Sequence, residues 1–133
     1  MNRIQSPCRA AFALVLFSAL LFNSGCNSDD APPKKSRDVK FELTGSFSGT
    51  LDVTYTTASG GATNESVAAL PWTKAITYQS TAQGALITVG GRGGTAGQTL
   101  MVKVYAGGTV VSETPGIANS SGIVVVSTPT YIF

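Results

Sequence analysis

The sequence contains no histidine. That removes the side chain that most often serves as general base or metal ligand near neutral pH, and with it the Ser-His and Cys-His dyads. Cys8 and Cys26 are the only thiols. Seven carboxylates remain: Asp29, Asp30, Asp38, Glu42, Asp52, Glu65 and Glu113. Two of them set across a sugar could hydrolyse a glycosidic bond. Three of the seven crowd into positions 29–38, however, and Glu42 and Asp52 fall at outward positions of alternating segments. A chain this short has little room for a substrate cleft, so no catalytic residue, cofactor or metal site is expected. Gly91-Arg92-Gly93-Gly94-Thr95-Ala96 formally matches a dinucleotide fingerprint. That fingerprint works only where a strand turns into a helix. Here a strand-like segment follows, so an inter-strand loop is expected.

Stacking is the chemistry left. Tyr55, Trp72, Tyr78 and Tyr105 are the candidate ligand or partner contacts, able to pack on a sugar ring or an acyl chain. Trp72 is the only tryptophan and directly follows Leu70-Pro71. An indole that buries roughly 150–250 Å² more often anchors a core than serves as an exposed platform. Trp72 is therefore expected to open a strand and anchor the core from its entrance. Alternation points Tyr105 outward.

The residues that position these side chains follow a charged and apolar preamble. Arg3 and Arg9 flank the start of an uncharged apolar run, Ala10 to Phe22. Its 13 residues are too few to span a bilayer and fit a signal-peptide core. Asn23-Ser24-Gly25-Cys26 then resembles a bacterial lipobox, in which Cys26 is lipidated and becomes the first residue of the mature chain. Residues 1–25 are thus expected to be a lipoprotein signal peptide, and 26–38 the lipidated cysteine with a Pro- and charge-rich tether. Cys8 would leave with the signal. Several acyl chains on Cys26 would hold the protein on the membrane, in the cell envelope. Two of the nine basic residues lie in the leader, which leaves seven basic and seven acidic side chains after the cut. With a net charge of zero, the extended basic face that a nucleic-acid partner needs is not expected.

From Val39 onward the pattern is β. Val39 to Leu43, Leu51 to Tyr55 and Leu100 to Tyr105 alternate apolar and polar, and Ile123 to Val126 reads as a strand covered on both faces. Trp72 to Tyr78, Ala85 to Val89, a segment from Val110 and a short one at Tyr131 to Phe133 are further candidates. Gly107-Gly108 suits a two-residue type I′ hairpin turn. No helical stripe appears. About seven strands in residues 39–133 predict an all-β, immunoglobulin-like two-sheet sandwich. No internal repeat is visible in the residues.

Leu51 to Gly61, then Ala69-Leu-Pro-Trp-Thr-Lys-Ala-Ile-Thr-Tyr78, then Val102 to Glu113 together resemble the soluble domain of the MmpS family, small membrane proteins that accompany RND-type transporters. Leu70-Pro71-Trp72-Thr73 with the following hairpin is the most specific part. The resemblance implies an immunoglobulin-like sandwich and a non-catalytic accessory role with an envelope protein partner. This chain departs from the family in its lipobox, in Gly107-Gly108 where Asp-Gly is usual, and in placing valines at Val102 and Val124 to Val126 where many members carry a cysteine pair. A glycan- or lipid-binding lipoprotein is the alternative expectation.

Overall fold

The computed structural model describes residues 33–133. The apolar run, the lipobox and Cys26 lie outside the described residues. Ten strands follow: β1 (Asp38–Gly45), β2 (Thr50–Thr56), β3 (Ala62–Val67), β4 (Trp72–Thr77), β5 (Gly84–Ala85), β6 (Ile87–Arg92), β7 (Thr99–Ala106), β8 (Thr109–Ile117), β9 (Val124–Ser127) and β10 (Tyr131–Ile132). Two four-stranded antiparallel sheets face each other, one in the order β4-β1-β7-β8 and the other β3-β2-β6-β9. A short β10-β5 pair closes one end. The architecture is the expected immunoglobulin-like two-sheet β-sandwich, with eight main strands instead of about seven.

Period-two alternation builds the core. Val39, Phe41 and Leu43 of β1 point inward, as do Leu51, Val53 and Tyr55 of β2, Ile87 and Val89 of β6, and Leu100, Val102 and Val104 of β7. Each fully buried side chain of this size contributes roughly 1.5–3 kcal/mol. Both cysteines precede residue 33, so this core works without a disulfide. All ten strands and the whole core lie within Lys34–Phe133, which forms one compact unit.

The strand order has a symmetry that the residues hide. β1 pairs with β4 and β7, and β6 pairs with β9 and β2. β2-β3 and β7-β8 are hairpins. Exchanging β1–β4 with β6–β9 therefore maps each sheet onto the other. Each half sends two strands to one sheet and two to its opposite.

Two segments differ from the sequence reading. β3 escaped notice because its inward positions are Thr63, Glu65 and Val67, and one apolar residue makes no pattern. The run at Ile123 to Val126 is covered on one face only. Val124 and Val126 are buried while Val125 is 69% exposed, because successive side chains of β9 alternate between the core and the outer face of the sheet, which nothing covers. Gly107 and Gly108 do form the two-residue turn, with φ of 56° and 82°.

The glycine-rich segment is explained by packing. β6 runs through Arg92 and a loop follows, with no helix. Phe47 lies against this loop. A Cβ on Gly91 would come within 2.8 Å of Phe47 Cε1, and one on Gly94 within 2.9 Å of Phe47 Cδ2. Gly94→Ala is expected to cost about 1–3 kcal/mol by overpacking, and Phe47→Leu in the same chain to recover part of that loss. Denaturant melts of the two single variants and the double variant measure the coupling.

Candidate functional site

The four aromatic candidates are distributed over three places. Tyr55 and Trp72 meet on the side of the sandwich where β3 and β4, edge strands of opposite sheets, face each other. Tyr55 rises from central strand β2 and is 6% exposed. Its ring centroid lies 6.1 Å from that of Phe41 and 6.3 Å from that of Trp72. Its hydroxyl donates to Glu65 Oε2 at 2.9 Å, and Lys74 Nζ reaches the same oxygen at 3.0 Å. Glu65 and Lys74 both occupy inward-facing positions, opposite Val53 and Phe41. An ion pair with a phenol across it therefore closes this side of the core. Lys74 first, and then the Tyr55 hydroxyl, hold the Glu65 carboxyl below the usual carboxylate range, against a partial desolvation that pushes the other way. Glu65 in turn raises the Lys74 amine above its ordinary value.

Trp72 starts β4 opposite Leu43, just after a cis Leu70–Pro71 bond. It is half-buried and packs on the core from the edge. Trp72 thus opens a strand and packs on the core as expected, and its edge position leaves part of the indole in solvent. Tyr78 lies at the end of the sandwich, 3% exposed, with its hydroxyl donating to the Thr56 carbonyl at 2.7 Å. Its ring centroid is 5.0 Å from that of Phe133. The rings of Tyr55 and Tyr78 are thus spent on packing and are not open stacking platforms.

Tyr105 alone stands on an outer face, that of the β4-β1-β7-β8 sheet. Its hydroxyl donates to Glu42 Oε1 at 3.0 Å, and Lys40 Nζ lies 4.0 Å from its ring centroid. Lys40 also pairs with Glu42 Oε2 at 3.3 Å, and on the neighbouring rung Lys103 pairs with Glu113 at 2.9 Å. The Tyr105 hydroxyl bond is the main reason that the Glu42 carboxyl titrates lower than usual, with Lys40 adding to it. A shallow groove of about 390 Å³ runs beside this network, lined by Asp38, Lys40, Ala75, Thr77, Tyr105 and Gly108. That volume is at the small end of ligand-binding clefts.

Among the described residues no group of three His, Cys, Asp or Glu side chains gathers. Glu42, Asp52, Glu65 and Glu113 each face a cation. The described residues present hydrogen-bonding groups, cation–π contacts and apolar surface.

Sequence reasoning overlooked one feature. Six large apolar side chains are exposed among the described residues: Val110, Val111, Ile117, Ile123, Val125 and Ile132. Five of them lie on β8 or at β9, the side opposite the Glu65–Lys74 pair. The signal was present in Val110-Val111 and Ile123 to Val126, but apolar runs read as core until edge strands are known.

Two outcomes follow from this geometry. Trp72→Ala is expected to cost about 2–3 kcal/mol, below the value for a fully buried Trp, as read from urea midpoints with an unchanged slope. Burial pushes the Tyr78 phenol up to about 12, from 10.0. A value raised in the folded state means stability that is complete below pH 10 and lost as pH climbs from 10 toward 12. Absorbance at the phenolate band should show one late-titrating tyrosine, and Tyr78→Phe should abolish that step.

A scan against protein-family models finds no match for this chain, and a search of curated proteins finds none either.

Proposed function

We propose that this protein is a non-catalytic, lipid-anchored interaction module of a bacterial cell envelope, held to the membrane through Cys26 and docking on another envelope protein. The observation that carries the reading is the set of large apolar side chains left exposed on edge strands β8 and β9, with Val110 and Ile117 on the outer face of one sheet and Val125 on that of the other. Large apolar side chains left in water near one edge of a domain are candidates for covering by a partner. The MmpS resemblance supports an RND-type transporter as the class of partner.

The partner meets side chains here, because the free backbone edges are guarded. β8 carries a bulge at Val111, where the register with β7 shifts, and Pro115, which has no N–H to offer. β9 is only four residues long. On the far side, β3 and β4 turn charged Glu65 and Lys74 inward. Short strands, bulges, prolines and inward charges all discourage strand addition.

A second reading is favoured by the groove beside Tyr105, whose ring, with the Lys40 amine and Asp38 carboxylate, suits a sugar ring. A lipoprotein that binds a glycan there is the alternative to a protein partner.

Photo-crosslinking in cells separates the two. A crosslinker at Ile117 or Val125 should yield one discrete protein adduct, and one at Thr54, on the outer face of β2, should not. Adducts of equal yield at all three positions, or no protein adduct at Ile117 and Val125 while a fourth crosslinker at Tyr105 captures glycan, would overturn the docking proposal.

A further inference from the structure

The tether enters the domain at the end of the sandwich that also gathers the remaining aromatic residues. Arg37 lays its guanidinium over the Phe133 ring, 4.6 Å from the centroid, and donates to the Gln79 and Ala82 carbonyls, the latter at 3.0 Å. Lys35 Nζ lies 5.7 Å from the centroid of Tyr131. Tyr131 meets Phe133 edge-on at 5.6 Å, and Ile132 between them is 54% exposed. Tyr78, 3% exposed, backs Phe133 from inside.

Charge distinguishes this end from the other. Lys34, Lys35 and Arg37 all sit here, and no carboxylate among the described residues pairs with any of them. The loops that meet here, 57–61, 78–83, 107–108 and 128–130, contain no acidic residue, so the opposing charges among the described residues are the Asp38 side chain and the α-carboxylate of Phe133, against three cations. At the opposite end the loops 46–49, 68–71, 93–98 and 118–123 carry no charged side chain at all. One end is therefore cationic, aromatic and partly apolar, and the other carries only Arg92, at the end of β6, paired with Asp52.

Those are the features of a surface that lies in a bilayer interface. Tyrosine rings and an exposed aliphatic side chain settle at the headgroup boundary, and lysines reach anionic headgroups. We propose that the end formed by Lys34, Lys35, Arg37, Tyr131 and Ile132 is a docking face for an anionic lipid bilayer. The inference rests on the lipid-anchor reading of Cys26. Cys26 precedes Lys34 by eight residues, so the anchor holds this end within about 28 Å of the membrane. A short tether raises the effective concentration of the face at the lipid, so a weak intrinsic affinity suffices. The sandwich then stands with its β10-β5 end down, and β8 and β9 rise from the surface on one side.

The test uses the chain from residue 27, which keeps the whole core and lacks the lipidated cysteine and the apolar leader. It is sedimented with vesicles of phosphatidylcholine, with or without phosphatidylglycerol, at low and at raised salt. Partitioning should rise about tenfold or more with the anionic lipid and fall as salt is added. A Lys34→Glu/Lys35→Glu double variant should lose that gain with an unchanged melting temperature, because neither side chain is buried. Ile132→Ser should weaken binding to the anionic vesicles further. Equal partitioning to both vesicle types, or a double variant that binds as the parent does, would overturn the docking face. Labelled palmitate incorporation into the full chain, compared with Cys26→Ser, reports the anchor separately. A label at Cys26 together with no anionic preference would leave the anchor standing and remove the docking face.

Discussion

The whole structure depends on two central strand pairs, β1 with β7 and β2 with β6. Their inward rows, led by Phe41, Leu43, Val53, Val89 and Val102, are almost fully closed to water. No covalent link supplements them in the described region. Backbone and side-chain entropy oppose folding at roughly 1–2 kcal/mol per residue, so these rows must interdigitate closely to leave any surplus. The glycines Gly91, Gly94 and Gly116 serve that demand. The first two leave space for Phe47, and a Cβ on Gly116 would come within 2.9 Å of Val124 Cγ2.

Around this centre the molecule treats its two open sides differently. On the β3–β4 side the residues that complete the core are charged, and Tyr55 bridges from the apolar interior to the Glu65–Lys74 pair. Exposed pairs of this kind add modest stability, and here the inward charges also deny a foreign strand an apolar seat. On the β8–β9 side the inward residues are small, Ser112, Thr114 and Gly116, and the two sheets approach closely. The large aliphatic side chains are turned out instead. The outer face between these sides is held by the Lys40–Glu42–Tyr105 and Lys103–Glu113 rungs, which fix the walls of the groove.

Much of this was legible in the residues. Strands with three alternating apolar positions, β1, β2 and β7, announce themselves, and so does the Gly107-Gly108 turn. β3 did not, because Glu65 sits where a core residue would, and its partner Lys74 is nine positions further along on another sheet. Tyr55 and Tyr78 read as candidate contacts because a tyrosine in a strand has the same letter whether its ring faces water or Phe41. Trp72 reads from the residues as the opening of a strand at the entrance to the core, and only the strand pairing shows that this strand is an edge. The aromatic cluster at Tyr131 and Phe133 was equally hidden. It depends on Arg37 and Phe133, which lie nearly the length of the domain apart in sequence.

The exchange symmetry of the two halves has a kinetic side. β1 finds its neighbours at β4 and β7, and β2 finds its second neighbour only at β6, so the first half of the chain cannot complete either sheet by itself. Most pairings join residues distant in sequence, the arrangement that folds slowly because long loops must close before any contact repays them. β9 completes the second sheet close to the end of the described chain. The apolar rows of β1 and β2 face each other, but each lies in a sheet that stays incomplete until β6, β7 and then β9 are in place, so the domain is committed to fold late and as a whole.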